Sequence, residues 1–345
     1  MKKALFIIGG LFLVLLASAL VAPSLVDWNQ YKGQVQSAVR SFTGKDVQIG
    51  GNLSLRIVPS LQISAADVRL ANEEGWRAPY FLELDSLDVS AAFFPLLTGK
   101  VQVTSITLKG ARINLEINAD GLGNWEALAG KSEAKPGGKE KAGSGDGFQL
   151  DDFRIEGGEI VLSDSRRGTV EMITGIDAGL SAGSARGPFH VDGGLTYRGQ
   201  RIGLKASLGR LFDDRRSPFN INLVLGGEEP GLGLSGSILF EGGRPILAGK
   251  MEVSGGDLGA LADALSGLLG GGPIDGINLA QAYSIKSKLA FGGGRVLLEE
   301  IELRVGKTAG SGKVLIDFQE KIEGSASIRL NTVVVEDWLV EGAKG

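Results

Sequence analysis

The chain has 345 residues and a net charge of −4, with 43% hydrophobic residues, no cysteine and a single histidine. These values exclude a disulfide framework and a thiolate metal site, and they give no electrostatic argument for nucleic acid. Glycine, at 54 residues, is about twice its usual share and has no collagen period, so it needs a structural reason.

The chain opens with Lys2 and Lys3, followed by the uncharged run Ala4 to Ala22 and then Pro23. As a helix that run reaches roughly 28 Å, close to the thickness of a bilayer core. The lysines precede it and no basic cluster directly follows. The positive-inside bias therefore predicts a single-pass anchor at residues 1–23, with the N-terminus in the cytoplasm and everything after Pro23 across the membrane. The competing reading is a cleaved signal peptide, since Ala17-Ser18-Ala19 has the small-x-small pattern; the apolar run continues past that site, which favours the anchor.

Residues 24–128 form the first β-unit, led by a helix. Asp27 is placed to cap it, Trp28, Tyr31, Val35, Val39 and Phe42 recur at helical spacing, and Gly44 supplies the stop. Trp28 and Tyr31 stand where an interfacial aromatic belt is expected; the alternative is a helix that simply faces the core. From Asp46 the period changes to two. Val47 and Ile49, Leu53 and Leu55, Leu61 and Ile63, Val68 and Leu70, Leu82 and Leu84, Leu87 and Val89, and Ile106 and Leu108 alternate with polar partners. That is the mark of half-buried strands in an antiparallel sheet.

A weak repeat accounts for part of the glycine. Gly44, Gly110, Gly157, Gly199, Gly242 and Gly293 each precede a charged residue and a short aliphatic strand, such as Ile113 and Leu115, Ile160 and Leu162, or Val296 and Leu298. A positive φ in a tight hairpin turn is expected at each. Pro245 breaks the pattern once and suggests an edge position or bulge. Residues 129–147, rich in Gly, Lys and Glu, read as a flexible linker. A second repetitive β-unit spans 148–345. It contains a helix near 257–269, between Asp257 and the glycines from Gly270, and a last strand pattern from Ile322 to Val335.

No motif carries catalytic chemistry. Gly231-Leu232-Gly233-Leu234-Ser235-Gly236 matches a dinucleotide fingerprint in form, but the period-two pattern continues through it and no helix opens. His190 stands alone, without legible metal or acid/base partners. Asp151 with Asp152, and Glu299 with Glu300, are adjacent in strands and so point to opposite faces. Arg166-Arg167 and Arg215-Arg216 read as solvated loop charges. The expectation is a non-enzyme without metal, cofactor or nucleotide.

The N-terminal third resembles the AsmA family of envelope proteins. The residues that carry this are the anchor followed by Val26-Asp27-Trp28, Gly44-Lys45-Asp46-Val47, Leu53-Ser54-Leu55 with Pro59-Ser60-Leu61, Val68 to Asn72, Phe94 to Gly99, and Asp120-Gly121 with Asn124-Trp125. A looser similarity continues through Gly187-Pro188-Phe189, Tyr197-Arg198-Gly199 and Ser311 to Val314. The resemblance implies an inner-membrane-anchored protein whose periplasmic part is a long, taco-like β-groove serving outer-membrane integrity and glycerophospholipid transfer. It brings no catalytic residues.

The expected fold is therefore mainly β: an elongated, twisted antiparallel sheet or groove with an N-terminal transmembrane helix and a few short helices. Its aliphatic face would shelter membrane phospholipid, each buried methylene contributing about 0.8 kcal/mol. The candidate lining residues are Val47, Ile49, Leu53, Leu55, Ile113, Leu115, Ile160, Leu162, Val296 and Leu298, although ordinary core packing explains any one of them. The alternative is an assembly factor that holds an outer-membrane protein through exposed sheet edges, without carrying lipid.

Overall fold

The computed structural model describes residues 26–57, 60–93, 95, 102–126, 150–184, 186–212, 215–226, 231–241, 244–272, 274–318 and 323–339. Strands make up 62% of the described residues, accompanied by a few short helices. The expected anchor, its signal-peptide alternative and residues 129–147 lie outside the described residues. Among those described, no helix is long and apolar enough to cross a membrane. The chain divides into two compact units, residues 1–177 and 178–345.

The first unit begins with a 3-10 turn, Trp28–Tyr31, capped by Asp27, whose side chain accepts a hydrogen bond from the Asn29 amide. It runs into α1 (Lys32–Thr43), which stops at Gly44 because a φ of +71° there favours glycine. Seven strands follow: β1 (Val47–Ile49), β2 (Leu53–Arg56), β3 (Leu61–Ala71), β4 (Tyr80–Ala91), β5 (Val103–Lys109), β6 (Arg112–Ile117) and β7 (Leu150–Asp164). Both β1 and β2 pair antiparallel with β3, β3 with β4, and β4 with β5 and the start of β6.

Strand β7 departs from the expected antiparallel order, because it runs parallel to both β5 and β6. A parallel pair needs a long crossover, and the residues between Ile117 and Leu150 supply one. The first unit is thus a mixed sheet. Its core is Ile49, Leu53, Ala65, Val68, Leu84 and Ala111, with Trp28 and Val35 packed onto it from the helical segment. Full burial of each larger aliphatic is worth about 1.5–3 kcal/mol, so this cluster dominates the unit's stability.

The division between the units falls inside β8 (Thr169–Ala182). The second unit is an antiparallel meander in which each strand pairs with the next: β9 (Phe189–Tyr197), β10 (Gln200–Leu208), β11 (Ser217–Leu225), β12 (Gly231–Glu241), β13 (Arg244–Gly255), β14 (Tyr283–Gly292), β15 (Arg295–Val305), β16 (Thr308–Asp317) and β17 (Glu323–Thr332). Between β13 and β14 lies α2 (Leu258–Leu269), which reaches β10. Asp257 caps it by accepting from the Gly259 and Ala260 amides, and Gly270 ends it at φ +75°. The last strand ends at Thr332, short of the expected Val335, and the chain turns into a 3-10 segment at Val335–Trp338.

The repeated glycines divide into different roles. Arg198-Gly199 and Gly293-Gly294 carry consecutive positive φ values in the two-residue turns that join β9 to β10 and β14 to β15, as a primed hairpin turn demands. Gly44 is a helix stop. Gly110 (φ +57°) and Gly157 (φ +64°) are not hairpin turns: Gly157 lies within β7, and Gly110 joins β5 to β6 while both pair with the same neighbours. A hairpin and a bulge demand the same backbone angle, and here the bulge forms. Gly242 lies outside the described residues. Pro245, paired with Phe240, stands beyond the last β13–β14 pair at Leu247, so its missing N–H leaves no ladder bond unmade on that side.

Candidate functional site

Directly paired residues in a sheet project to the same face, so the registers define rungs of side chains across each unit. In the first unit one rung runs Val47, Leu70, Leu82, Ile113, Ile160. Another runs Leu53, Ala65, Leu87, Leu108, Ile155, and a third Leu55, Ile63, Val89, Ile106, Phe153. The apolar parity shifts by one residue at Asp67 (φ +49°), Gly110 and Gly157. The shift keeps the aliphatics of both halves on one face, where they join a single cluster.

The expected lining residues therefore fall in different surroundings. Ile49 and Leu53 are buried in the core with Val47 packed against them, while Leu55, Ile113, Leu115, Ile160 and Leu162 are half-buried. Leu115 pairs with Leu162. In the second unit Val296 pairs with Phe291 and Ile316, and Leu298 with Leu289 and Val314. Trp28 packs on the first unit's core, whereas Tyr31 is 41% exposed with its ring 5.4 Å from that of Trp28.

The larger apolar surface lies in the second unit. One rung reads Val191, Ala206, Ile221, Leu234, Met251, Ser287. The next reads Leu204, Leu223, Leu232, Val253, Ile285, Leu303, Gly310, Leu330. A third begins Phe189, Leu208, Phe219 and continues through Leu289, Leu298 and Val314. Phe219, Ile301 and Val305 are sealed, but Ile221, Leu223, Leu232, Leu234, Met251, Val253, Ile285 and Leu289 all remain partly accessible. These central residues share the period-two alternation of the candidates, so the same signal was available for them.

The opposite face is polar. Its rung Asp192, Lys205, Asn222, Gly233, Glu252, Lys286, Glu302, Ser311, Arg329 alternates charge across the strands. Lys286 and Glu252 stand 3.0 Å apart. The sheet of this unit thus has one wet face and one aliphatic face, which is the division a lipid-facing surface needs.

The Asn124-Trp125 segment forms a structural node. Asn124 is 2% exposed; its side-chain oxygen accepts from the Glu116 amide at 3.0 Å and its amide donates to the Asn114 carbonyl at 2.8 Å. Buried Glu116 accepts from the Arg77 and Ala78 amides at 3.0 and 2.7 Å. Gly123 has no side chain where the Trp125 ring lies. This polar cluster was not anticipated from sequence, where loop asparagines read as turn formers.

Chemistry-bearing residues are scattered. Gly231 to Gly236 are part of β12 and open no helix, and His190 is exposed opposite Ser207. Arg166 hydrogen-bonds Asp164 at 3.1 Å and holds its carboxyl below the usual range, against the opposing effect of burial. Glu300, at φ +50°, occupies a bulge in β15 and pairs with Lys288. Among the described residues no group of three or more His, Asp or Glu side chains is gathered as metal ligands.

The AsmA family model matches residues 1–223, which takes in the whole first unit and the second unit as far as β11. The chain belongs to the AsmA family. No curated protein matches it. AsmA proteins are associated with the cell envelope, and the matched region contains both the Asn124 node and the first strands of the second unit's aliphatic face. Membership points to an envelope-related function.

Proposed function

We propose that this AsmA protein is a non-enzymatic lipid-handling protein of the bacterial envelope, anchored in the inner membrane by residues 1–23 with its two units in the periplasm. Membrane phospholipid lies with its acyl chains against the aliphatic face of the second unit. The observation that carries the reading is the run of aliphatic rungs from β9 to β16 whose residues are paired strand to strand yet stay partly accessible. An ordinary core would seal them, and a water-facing sheet would alternate them with polar groups.

The test is mass spectrometry of the full chain extracted from membranes in mild detergent. Phospholipid should copurify, and Met251→Lys, which puts a charge on the central rung, should deplete it. Extraction without any bound lipid removes the proposal's main support.

A second reading has its own observation. Every residue of β17 is exposed, and among the described residues its pairing is with β16 alone. Such an edge can accept an added strand from an outer-membrane protein or another envelope assembly partner. Photocrosslinkers on β17 distinguish the two, because a protein adduct there and no lipid on the face favours assembly.

A further inference from the structure

Beyond β17 the chain turns back over the end of the aliphatic face and covers a cavity of about 300 Å³. Its walls are Leu303 and Val305 of β15, Leu330 of β17, and Val333, Val335 and Trp338 of the following segment. The one hydroxyl-bearing wall residue, Thr308, is 3% exposed and accepts a hydrogen bond from the Trp338 indole at 2.9 Å. Leu303 and Leu330 belong to the rung that begins at Leu204, so the cavity continues the aliphatic face.

The covering segment is held from its polar side. The Asn278 amide donates to the Trp338 carbonyl at 3.0 Å, and the side chains of Asn278 and Gln281 both donate to the Asp337 carbonyl. Lys307 pairs with the Asp337 carboxylate at 3.3 Å. These bonds fix the backbone of the strap while leaving its apolar side chains turned to the cavity. Leu330, Val333 and Val335 remain 51%, 50% and 59% exposed, so the mouth of the cavity is apolar and open to solvent.

We infer that this cavity receives the methyl end of one phospholipid acyl tail, with Trp338 as its lid. The inference rests on the lipid-binding reading above and gives it a terminus. The size is at the lower limit of ligand pockets, enough for part of one hydrocarbon chain. With Thr308 buried and the Trp338 indole N–H donating to it, the accessible wall is apolar, so a headgroup has no partner inside and stays outside the mouth.

The test uses the full chain in detergent, loaded with phosphatidylcholine brominated near the tail ends, because bromine quenches tryptophan on contact. Bound lipid is counted by mass spectrometry in the same samples. Wild type should lose a component of its fluorescence that is absent from Trp338→Phe. Leu330→Glu, at an exposed rim position, should keep lipid on the face but abolish that component. Bound lipid with equal quenching in wild type and Trp338→Phe, or full quenching in Leu330→Glu, overturns the tail pocket alone. Absence of bound lipid in every sample overturns the pocket and the lipid reading together.

Discussion

Replacing Asn124 by alanine tests whether the Asn124-Trp125 segment serves the fold. The side chain satisfies the Glu116 amide at 3.0 Å and the Asn114 carbonyl at 2.8 Å, at a site only 2% exposed. Each buried group left without a partner costs about 1–3 kcal/mol, and the variant also loses the longer 3.4 Å bond that Asn124 donates to half-buried Asn72, so a loss of about 3 kcal/mol is expected. That corresponds to roughly a hundredfold faster opening at 1.36 kcal/mol per decade. A chain of two units does not melt as one, so the assay is native-state hydrogen exchange of peptides covering 112–126 in the full chain. Asn124→Asp should lose more at neutral pH, because it keeps the acceptor but sets a charge beside buried Glu116, and should recover as acid neutralises it. A change below about threefold for the alanine variant would refute the assignment.

Three further outcomes follow from the geometry. Gly110→Val should destabilise the first unit by about 2 kcal/mol or more, since φ is +57° and the new side chain meets Asp85; proteolysis of the full chain reads it, and an unchanged rate argues against the bulge. The Arg166 hydrogen bond depresses Asp164, so its contribution is present above the ordinary carboxylate range and fades as pH falls through the lowered folded value. Asp164→Asn should flatten the acid dependence of exchange in the 165–168 turn, and a dependence that persists unchanged contradicts this. Leu234→Lys and Met251→Lys, neighbours on one rung, should each deplete bound phospholipid, whereas Lys205→Gln on the wet face should not; equal loss in all three would point to unfolding.

The parts legible in sequence are those fixed by local geometry. Asp257 and Gly270 bracket α2 because a capping carboxylate and a left-handed stop are single-residue demands. The aliphatic rungs were legible because alternation survives translation into any sheet. Strand direction was not. The alternation in β7 is the same whether its neighbours run with it or against it, so nothing in Ile160 and Leu162 announces a parallel partner. Gly110 and Gly157 misled because a bulge and a hairpin use the same φ. The Trp338 strap was hidden because the β-branched run Thr332 to Val335 reads as more strand beyond the point where the hydrogen bonds of β17 end.

The parallel placement of β7 also sets an order in time. Ser105 on β5 finds its partner at Asp152, and Arg112 on β6 at Glu159, so neither strand has its second neighbour until translation has passed residue 150. Closing so long a segment costs entropy before any pairing repays it. A nascent chain stopped anywhere before β7 therefore exposes the unpaired flank of β5 and β6, and holdase binding should end abruptly as β7 emerges.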